Sequence, residues 1–258
     1  MQNWPVFFRR FAARRLARYD RPTLISLFDP SRSCDLRRRF LRFLVKVLGP
    51  NETFSLIYEK NLWGTDESRS GAGSTLAQTA SIRDFLPRLL QDLEIRSLLD
   101  IPCGDFNWMR QLDLSGIRYV GADIVPELIS ENARAYGSQD RQFVCLDLLS
   151  DRLPRADAVL CRDCLVHLPN ADAARALENI RSSGAAYLLA TTFPSLELNE
   201  DVVLGFWRPL NLERPPFSLP PARMLLNEGN PDPRYADKSL GIWCLNDRSD
   251  TGVYNHER

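Results

Sequence analysis

The chain reads Ser97-Leu98-Leu99-Asp100-Ile101-Pro102-Cys103-Gly104 over residues 97–104. A short apolar run here ends in a carboxylate and passes directly into a tight turn that contains glycine. This pattern is typical of a buried parallel strand whose carboxyl end faces a ligand. We therefore predict that the stretch is the first strand of a doubly wound α/β sheet.

Two further apolar runs end in an acid in the same way. The first is Arg118-Tyr119-Val120-Gly121-Ala122-Asp123, and Asp123 follows Asp100 by 23 residues (123 − 100). Nucleoside-binding folds place a ribose-binding carboxylate about 20 residues beyond the turn. The second run, Gln142-Phe143-Val144-Cys145-Leu146-Asp147, adds a third acid. Three acids at successive strand ends predict a nucleoside site at one edge of the sheet.

The remaining patterns predict a mostly parallel sheet of seven strands with helices on both faces. Helices are expected at 75–93, 106–112, 126–136 and 172–181, with Pro87 kinking or dividing the first. Further strands are expected at 157–161, 186–192, 222–228 and 239–245. The last two should form a hairpin at the sheet edge.

The length of 258 residues suits one large α/β domain with an N-terminal extension. We expect the extension at 1–50 and the main domain at 51–258. Within the domain, a Gly- and Ser-rich loop at 58–74 is placed to act as a lid, and the core spans 75–193. Residues 194–246 hold the last strands and a long segment with six prolines at 194–221, which we interpret as a folded substrate loop.

The extension carries most of the charge asymmetry. Residues 1–50 have a net charge of +9 although the whole chain is neutral. Apolar residues recur at helical spacing over 4–19 and 36–48, between arginines. Three interpretations remain open: packing on the domain as a lid, peripheral membrane contact through residues 1–48, and a nucleic-acid-binding arm. The third is not expected, because nothing in these stretches indicates base recognition.

Composition favours an ordinary globular protein. The hydrophobic share is 44% and the charged share 26%, and no run of about 18 apolar residues marks a membrane span. The N-terminal apolar residues are interrupted by Arg9, Arg10, Arg14 and Arg15, unlike a secretion signal. Six scattered cysteines suit reduced thiols. We expect a cytoplasmic protein, with a peripheral position on the inner face of a membrane as the alternative.

The turn after the first strand narrows the choice of cofactor. A nicotinamide site would require G-x-G-x-x-G, and a nucleotide triphosphate site a Gly-Lys-Ser/Thr loop. The turn instead contains a single glycine and the carboxylate of Asp105, which would repel phosphate. A nucleoside without phosphates remains, and S-adenosylmethionine fits. Its ammonium can meet acceptors at the first strand end, its ribose diol can donate to Asp123, and its adenine amino group can donate to Asp147.

At these residues the chain resembles the class I S-adenosylmethionine-dependent methyltransferases, over about residues 75–245. The family motifs correspond to Asp100–Gly104, to Asp123 with Ile124, to Asp147 with Leu148, and to Cys161–His167. Pro102 departs from the family pattern, which most often has glycine there. The resemblance implies a Rossmann-like fold, a methyltransferase activity and a cofactor site formed by Asp100, Pro102, Cys103, Gly104, Asp123, Ile124, Asp147, Leu148 and Arg162.

The segment after the fourth strand should face the sulfonium of the cofactor. Asp163 and His167 lie four residues apart there, so in a helical turn they would share one side and could act as base and orienter for a hydroxyl. Cys161 and Cys164 have C-x-x-C spacing but no second ligand pair nearby, so no metal site is expected.

These features predict O-methylation of a small-molecule or carbohydrate-like acceptor held between the 60–74 loop and the 194–221 segment. Candidate substrate or lid residues are Trp63, Arg83, Trp207 and Arg208. Two alternatives stay open. One is N- or lipid-directed methylation at a membrane surface, and the other is a methyltransferase-like binding module without catalysis. The oligomeric state is left open.

Overall fold

The computed structural model of the chain describes residues 6–16, 18–20, 22, 24 and 47–245. Its strands are β1 Ser97–Asp100, β2 Arg118–Asp123, β3 Arg141–Cys145, β4 Ala158–Cys161, β5 Tyr187–Thr192, β6 Met224–Asn227 and β7 Ser239–Cys244. They form one sheet in the order β3-β2-β1-β4-β5-β7-β6. The first five strands are parallel, and β7 runs antiparallel to both β5 and β6. The predicted doubly wound sheet and its edge hairpin are confirmed.

The α-helices of the described residues are α1 Val6–Leu16, α2 Pro50–Glu59, α3 Ala80–Asp92, α4 Pro126–Tyr136 and α5 Asn170–Ser182. Helix α4 has the predicted bounds, with a proline in its first turn. Helix α3 begins at Ala80 instead of residue 75 and runs through Pro87 without dividing. Ile82, Leu86, Leu89 and Leu90 are buried on one face of α3, so core contacts anchor the helix on both sides of the proline.

The predicted crossover helix at 106–112 was wrong, because only a short 3-10 helix forms at Met109–Gln111. Phe106 adopts a left-handed backbone conformation with φ +58°, which an α-helix does not tolerate. Its fully buried ring packs against Tyr119, Tyr136 and Phe143 at centroid distances of 5.2–5.3 Å. In the connection between β1 and β2, the buried Phe106 ring makes the core contacts that a crossover helix was expected to make.

The centre of the sheet is buried on both faces, as expected for parallel strands covered by helices. All residues of β1 and β4 are buried. In the register of the sheet, Asp100 lies beside Gly121 of β2 and Leu160 of β4. The chain leaves β1 toward β2 on one side and later returns to β4 on the other. A crevice is expected at the carboxyl ends of strands where the order reverses in this way.

Residues 194–221 contain no helix or strand but are folded. Leu204, Leu210 and Leu212 of this segment are buried. The Asn199 side chain donates to the carbonyls of Asn211 and Pro215, and the Asn211 side chain donates to those of Pro194 and Leu196. Buried asparagines thus satisfy backbone groups that regular structure would otherwise pair.

Helix α1 packs on α2 through one face. Ala12 and Leu16 are fully buried in a cluster with Leu56, Ile57 and Leu62. Val6, Phe8 and Phe11 of the same helix are about half exposed. Of the second amphipathic stretch, residues 36–46 lie outside the described part of the chain. Among the described helices, none is both long and apolar enough to cross a membrane.

The packing of α1 can be tested with two apolar residues of the same helix. We expect Leu16→Ala to lower the free energy of unfolding by about 2–4 kcal/mol, because it removes fully buried methyl groups and leaves a cavity. Phe11→Ala is the matched control, since the Phe11 side chain is 53% exposed. Urea unfolding followed by circular dichroism measures both. Equal, small effects would show that α1 does not pack on the domain.

Candidate active site

A cavity opens at the carboxyl ends of β1, β2 and β4. It encloses about 1080 Å³, counting space open to solvent at its mouth. All nine residues predicted to bind the cofactor line it, and so do Asp163, His167 and Trp63. The strand ends, the turn after β1 and the segment after β4 are therefore brought to one place.

Two buried carboxylates form the floor of the cavity. Asp100 accepts a hydrogen bond of 2.6 Å from the Tyr119 hydroxyl, and burial raises its pKa to about 7. Asp123 accepts hydrogen bonds from the backbone N–H groups of Gly104 (3.2 Å) and Val125 (3.1 Å). Burial raises the pKa of Asp123 to about 6 despite these donors. Both acids lose their charge at mildly acidic pH.

Gly104, the glycine of the turn after β1, packs against Ser70 of the 58–74 loop. Gly104 has φ +53°, a conformation that favours glycine. A Cβ atom built there would lie only 2.4 Å from the Ser70 hydroxyl oxygen. The 58–74 loop therefore packs directly on Gly104, where a side chain would not fit.

The third acid, Asp147, lines the cavity but is already engaged. Its carboxylate accepts hydrogen bonds from the Leu149 N–H (2.8 Å) and the Ser150 hydroxyl (3.0 Å), which closes the turn after β3. Above the neighbouring Ile124, the Asn51 side chain donates to the Ile124 carbonyl at 3.0 Å. This contact fixes the start of α2 over the strand ends.

Helix α2 supplies cavity walls that the sequence patterns did not indicate. Pro50, Phe54, Ile57 and Tyr58 all line the cavity. The Tyr58 hydroxyl donates to the Glu131 carboxylate of α4 at 2.7 Å, which joins α2 to the domain. The spacing of apolar residues in 50–59 could have predicted a packed helix. That spacing does not indicate that the helix lines the cavity.

Arg162 belongs to a buried ion cluster, which we define as Arg162, Asp163, Glu228 and Lys238. Arg162 donates twice to Glu228, at 3.2 and 2.7 Å, and lies over the Trp108 ring. Lys238 contacts Glu228 at 3.2 Å and Asp163 at 2.6 Å. Glu228 follows β6 and Lys238 precedes β7, so the edge hairpin brings in two residues that spacing along the chain could not indicate.

Asp163 presents one carboxylate oxygen to this cluster and leaves the other without a partner. Oδ2 contacts Lys238 and, at 3.4 Å, Arg162, whereas Oδ1 is buried and has no protein partner. Burial favours the neutral acid, but the two cations outweigh burial and hold the pKa of Asp163 well below its usual range. Asp163 is therefore an anion with one unused acceptor.

His167 is held by a ring and a carbonyl. Its imidazole stacks on Trp63, with centroids 4.1 Å apart and planes 23° apart, and Nδ1 lies 3.3 Å from the Phe206 carbonyl. Burial lowers the pKa of His167 to about 4, against the opposing attraction of Asp163. The helical turn expected to begin at Asp163 does not form: Asp163 has φ +50°, and the segment folds as a 3-10 turn at Leu165–His167.

Of the four predicted substrate or lid residues, Arg83, Trp207 and Arg208 are absent from the described residues that line the cavity. Arg83 donates to the Leu76 carbonyl at 2.9 Å. Arg208 is buried and donates to the carbonyls of Leu165, Leu168 and Glu200, so it supports the segment that carries His167. Trp207 packs against Tyr235 with centroids 4.7 Å apart and remains 39% exposed.

Comparison with known proteins matches part of the chain to a family model. Residues 99–184 match the family model described as a methyltransferase domain, a segment that runs from β1 to α5. No curated protein matches the chain. The described residues contain no group of three or more His, Cys, Asp or Glu side chains that could hold a metal ion.

Solved structures give matches of low identity. Magnesium protoporphyrin IX methyltransferase from Synechocystis is 20% identical, with a TM-score of 0.37, over 46% of this chain and 59% of that one. Human N-acetylserotonin methyltransferase is 12% identical, with a TM-score of 0.49, over 76% and 59%. The N-methyltransferase NodS from Bradyrhizobium japonicum is 16% identical, with a TM-score of 0.44, over 53% and 73%.

The resemblance inferred from the sequence is confirmed. Residues 99–184 match a methyltransferase domain, and the seven-stranded sheet has the Rossmann-like methyltransferase fold. Both findings agree with S-adenosylmethionine as the expected cofactor. The methylated acceptor does not follow from these matches, and the chain spans only about half to three fifths of the first solved structures it matches.

The acids of the cavity floor give a prediction for cofactor binding. Asp123→Asn should weaken binding of S-adenosylhomocysteine by about 2–3 kcal/mol, because a carboxylate that accepts from the ribose diol becomes a neutral amide. In the intact protein, affinity should fall as pH is lowered from about 8 to about 5, as Asp100 and Asp123 take up protons with pKa values of about 7 and 6. Titration calorimetry measures both effects.

The control for this experiment is Asp113→Asn, which changes an acid on an exposed turn outside the cavity lining. At every pH, this variant should bind S-adenosylhomocysteine with the same affinity as the intact protein. An Asp123→Asn variant that binds like the intact protein, with the same pH dependence, would contradict the assignment of Asp123 to the ribose.

Proposed function

We propose that the chain is an S-adenosylmethionine-dependent O-methyltransferase acting on a hydroxyl of a small-molecule or carbohydrate-like acceptor. The observation that carries the proposal is that two side chains able to accept a hydrogen bond, His167 and Asp163, are among the residues that line the cavity. His167 lines it as a neutral imidazole, and Asp163 lines it as a fixed anion with one free oxygen. Methyl transfer to a hydroxyl requires both alignment and removal of a proton.

His167 is suited to accept that proton. If Nδ1 carries the hydrogen and donates it to the Phe206 carbonyl, Nε2 keeps its lone pair. The Trp63 ring covers one face of the imidazole and restrains its orientation. Because burial lowers the pKa of His167 to about 4, the ring is neutral and able to act as a base throughout the neutral range.

Asp163 is better suited to bind the acceptor than to take its proton. Lys238 and Arg162 stabilise its charged form, so protonation in the reaction would work against both cations. Its Oδ1 atom can instead accept a hydrogen bond from a donor on the acceptor molecule, such as the reacting hydroxyl or a neighbouring one. The two residues would then divide the work of positioning and proton removal.

The test of this proposal uses S-adenosylmethionine with a deuterated methyl group. We expect label to appear in phenols or polyols from a mixed panel of hydroxyl compounds, with S-adenosylhomocysteine released in equal amount. Matched panels of amines and phospholipids serve as comparisons. Label in amines alone, or in lipids alone, would replace the hydroxyl acceptor with one of those classes. Cofactor binding without any transfer would favour a non-catalytic binding module.

The roles of His167 and Asp163 predict different kinetic changes. His167→Gln should lower turnover by roughly 10²–10⁴-fold while cofactor affinity stays within a few-fold. A general base stabilises the transition state of methyl transfer and does not contribute to cofactor binding. With cofactor saturating at every pH, the acid limb of turnover in the intact enzyme should lie near pH 4, following the lowered pKa of His167, instead of near its ordinary value of about 6.5.

Asp163→Asn should mainly raise KM for the acceptor, since the amide removes the charge that binds a donor. Initial rates with the acceptor found in the panel, at saturating cofactor, measure both variants. Full turnover in His167→Gln with an unchanged pH profile would make the histidine structural. Activity in both variants would favour an amine acceptor.

A second candidate is a methyltransferase that reaches an acceptor at a membrane surface. It is favoured by the exposed side of α1, where Phe11 is about half exposed and lies near the exposed Arg14 and Arg15. Aromatic residues among cations are typical of helices that lie in the interface of anionic membranes. The buried Ala12 and Leu16 would keep α1 attached to the domain while this face binds lipid.

Membrane contact predicts binding that depends on lipid charge. The intact chain should bind vesicles containing phosphatidylserine and release them at high salt, and neutral vesicles should bind weakly. A Phe11→Ala, Arg14→Gln, Arg15→Gln variant should lose this binding without loss of stability, because all three side chains are exposed. Vesicle sedimentation measures the bound fraction. Equal binding by the variant would exclude this face of α1 as the contact.

A further inference from the structure

Residues 65–76, which we term the clamped loop, are fastened to the turn after β1. The Asp105 carboxylate accepts hydrogen bonds from the Ser68 hydroxyl (3.0 Å), the Arg69 backbone N–H (2.8 Å) and the Ser70 hydroxyl (3.1 Å). The Asp105 backbone N–H donates in return to the Ser70 oxygen at 2.8 Å. One acid thereby fixes three consecutive residues of the loop.

A second attachment lies two residues further along the turn. The buried Asn107 side chain donates to the Glu67 carboxylate at 2.7 Å and to the Ser74 carbonyl at 3.0 Å. The same Glu67 oxygen accepts from the Leu76 N–H at 2.7 Å. Both arms of the clamped loop are therefore tied to the segment that carries the cofactor-binding glycine.

The clamped loop brings a cation to the cavity. Arg69, Ser70 and Ser74 line it, and the Arg69 guanidinium lies 5.2 Å from the centre of the Tyr58 ring. The other arginine that lines the cavity, Arg162, is neutralised by Glu228 and Asp163. In the described part of the chain no carboxylate forms an ion pair with Arg69. Its charge remains available to a ligand.

The cofactor has one anionic group that needs such a partner. Its amino-acid end carries an ammonium and a carboxylate, and the acids of the cavity floor can attract only the former. A guanidinium binds a carboxylate through two parallel hydrogen bonds. The Tyr58 ring beneath Arg69 is fixed by the hydrogen bond from Tyr58 to Glu131. Contact with this ring already restricts the Arg69 side chain, so less conformational entropy is lost when it binds a ligand.

We propose that Arg69 binds the carboxylate of the cofactor and that Asp105 and Asn107 are positioning residues that hold the clamped loop for this contact. The inference rests on the proposed function, because it takes S-adenosylmethionine as the ligand. It assigns to a loop outside the family motifs the recognition of one charged group.

The test compares two ligands that differ at this group. S-adenosylhomocysteine has the amino-acid end, and methylthioadenosine keeps the nucleoside and the thioether but lacks that end. Arg69→Gln should weaken S-adenosylhomocysteine by about tenfold or more and change methylthioadenosine by less than about twofold. Arg69→Lys, which keeps the charge without the two-pronged geometry, should be intermediate. Titration calorimetry gives each dissociation constant.

Asp105→Asn should show the same ligand selectivity, because its amide N–H would face the donors of the clamped loop. Asp113→Asn is the matched control, since Asp113 also accepts from a neighbouring serine hydroxyl and N–H but in a turn that does not line the cavity. It should leave both ligands unchanged. Thermal unfolding confirms that the variants fold.

Two results would overturn the inference. Equal weakening of both ligands in Arg69→Gln would show that the clamped loop supports the site without binding the carboxylate, and no weakening of either would remove Arg69 from the site. Binding of neither ligand by the intact protein would instead refute the cofactor assignment, and the proposed function would fail with it.

Discussion

The site depends on keeping two carboxylates buried at the edge of a parallel sheet. Burying an acid costs free energy unless donors compensate it. Asp100 receives the Tyr119 hydroxyl and Asp123 receives two backbone N–H groups, and both pKa values are still raised. The remaining cost is relieved when a ligand supplies donors. A ligand with hydroxyl and ammonium groups can supply such donors.

The ion cluster, on the other side of β1, must likewise compensate the cost of burying charged groups. A buried charge must be paired, and Arg162, Asp163, Glu228 and Lys238 contain two charges of each sign. The pairing leaves one Asp163 oxygen unsatisfied. Because Glu228 and Lys238 flank the edge hairpin, folding of the last two strands is required before Asp163 can be held in place.

The sequence predicted what depends on local pattern. Strand periodicity, the acids at the strand ends and the spacing of Asp100 and Asp123 indicated the sheet, the cofactor and nine residues that line the cavity. It could not reveal contacts between distant segments. Glu228 and Lys238 lie 66 and 75 residues from their partners in the ion cluster, and helix α2 meets the strand ends only in the folded protein. Sequence alone did not show what holds Arg208 and Trp207: Arg208 donates to the carbonyls of a neighbouring segment, and Trp207 packs against Tyr235.

The turn after β1 shows why one motif can serve two purposes. The sequence Pro102-Cys103-Gly104-Asp105 has fewer glycines than a phosphate-binding turn, and its acid excludes phosphate. The structure gives the acid a positive role, since Asp105 gathers the N–H and hydroxyl donors of the clamped loop, and Gly104 leaves room for Ser70. A turn that does not have to accommodate phosphates can use its backbone and its acid to hold a loop. That loop brings Arg69, Ser70 and Ser74 to the cavity, so the acid that disfavours phosphate also holds one wall of the site in place.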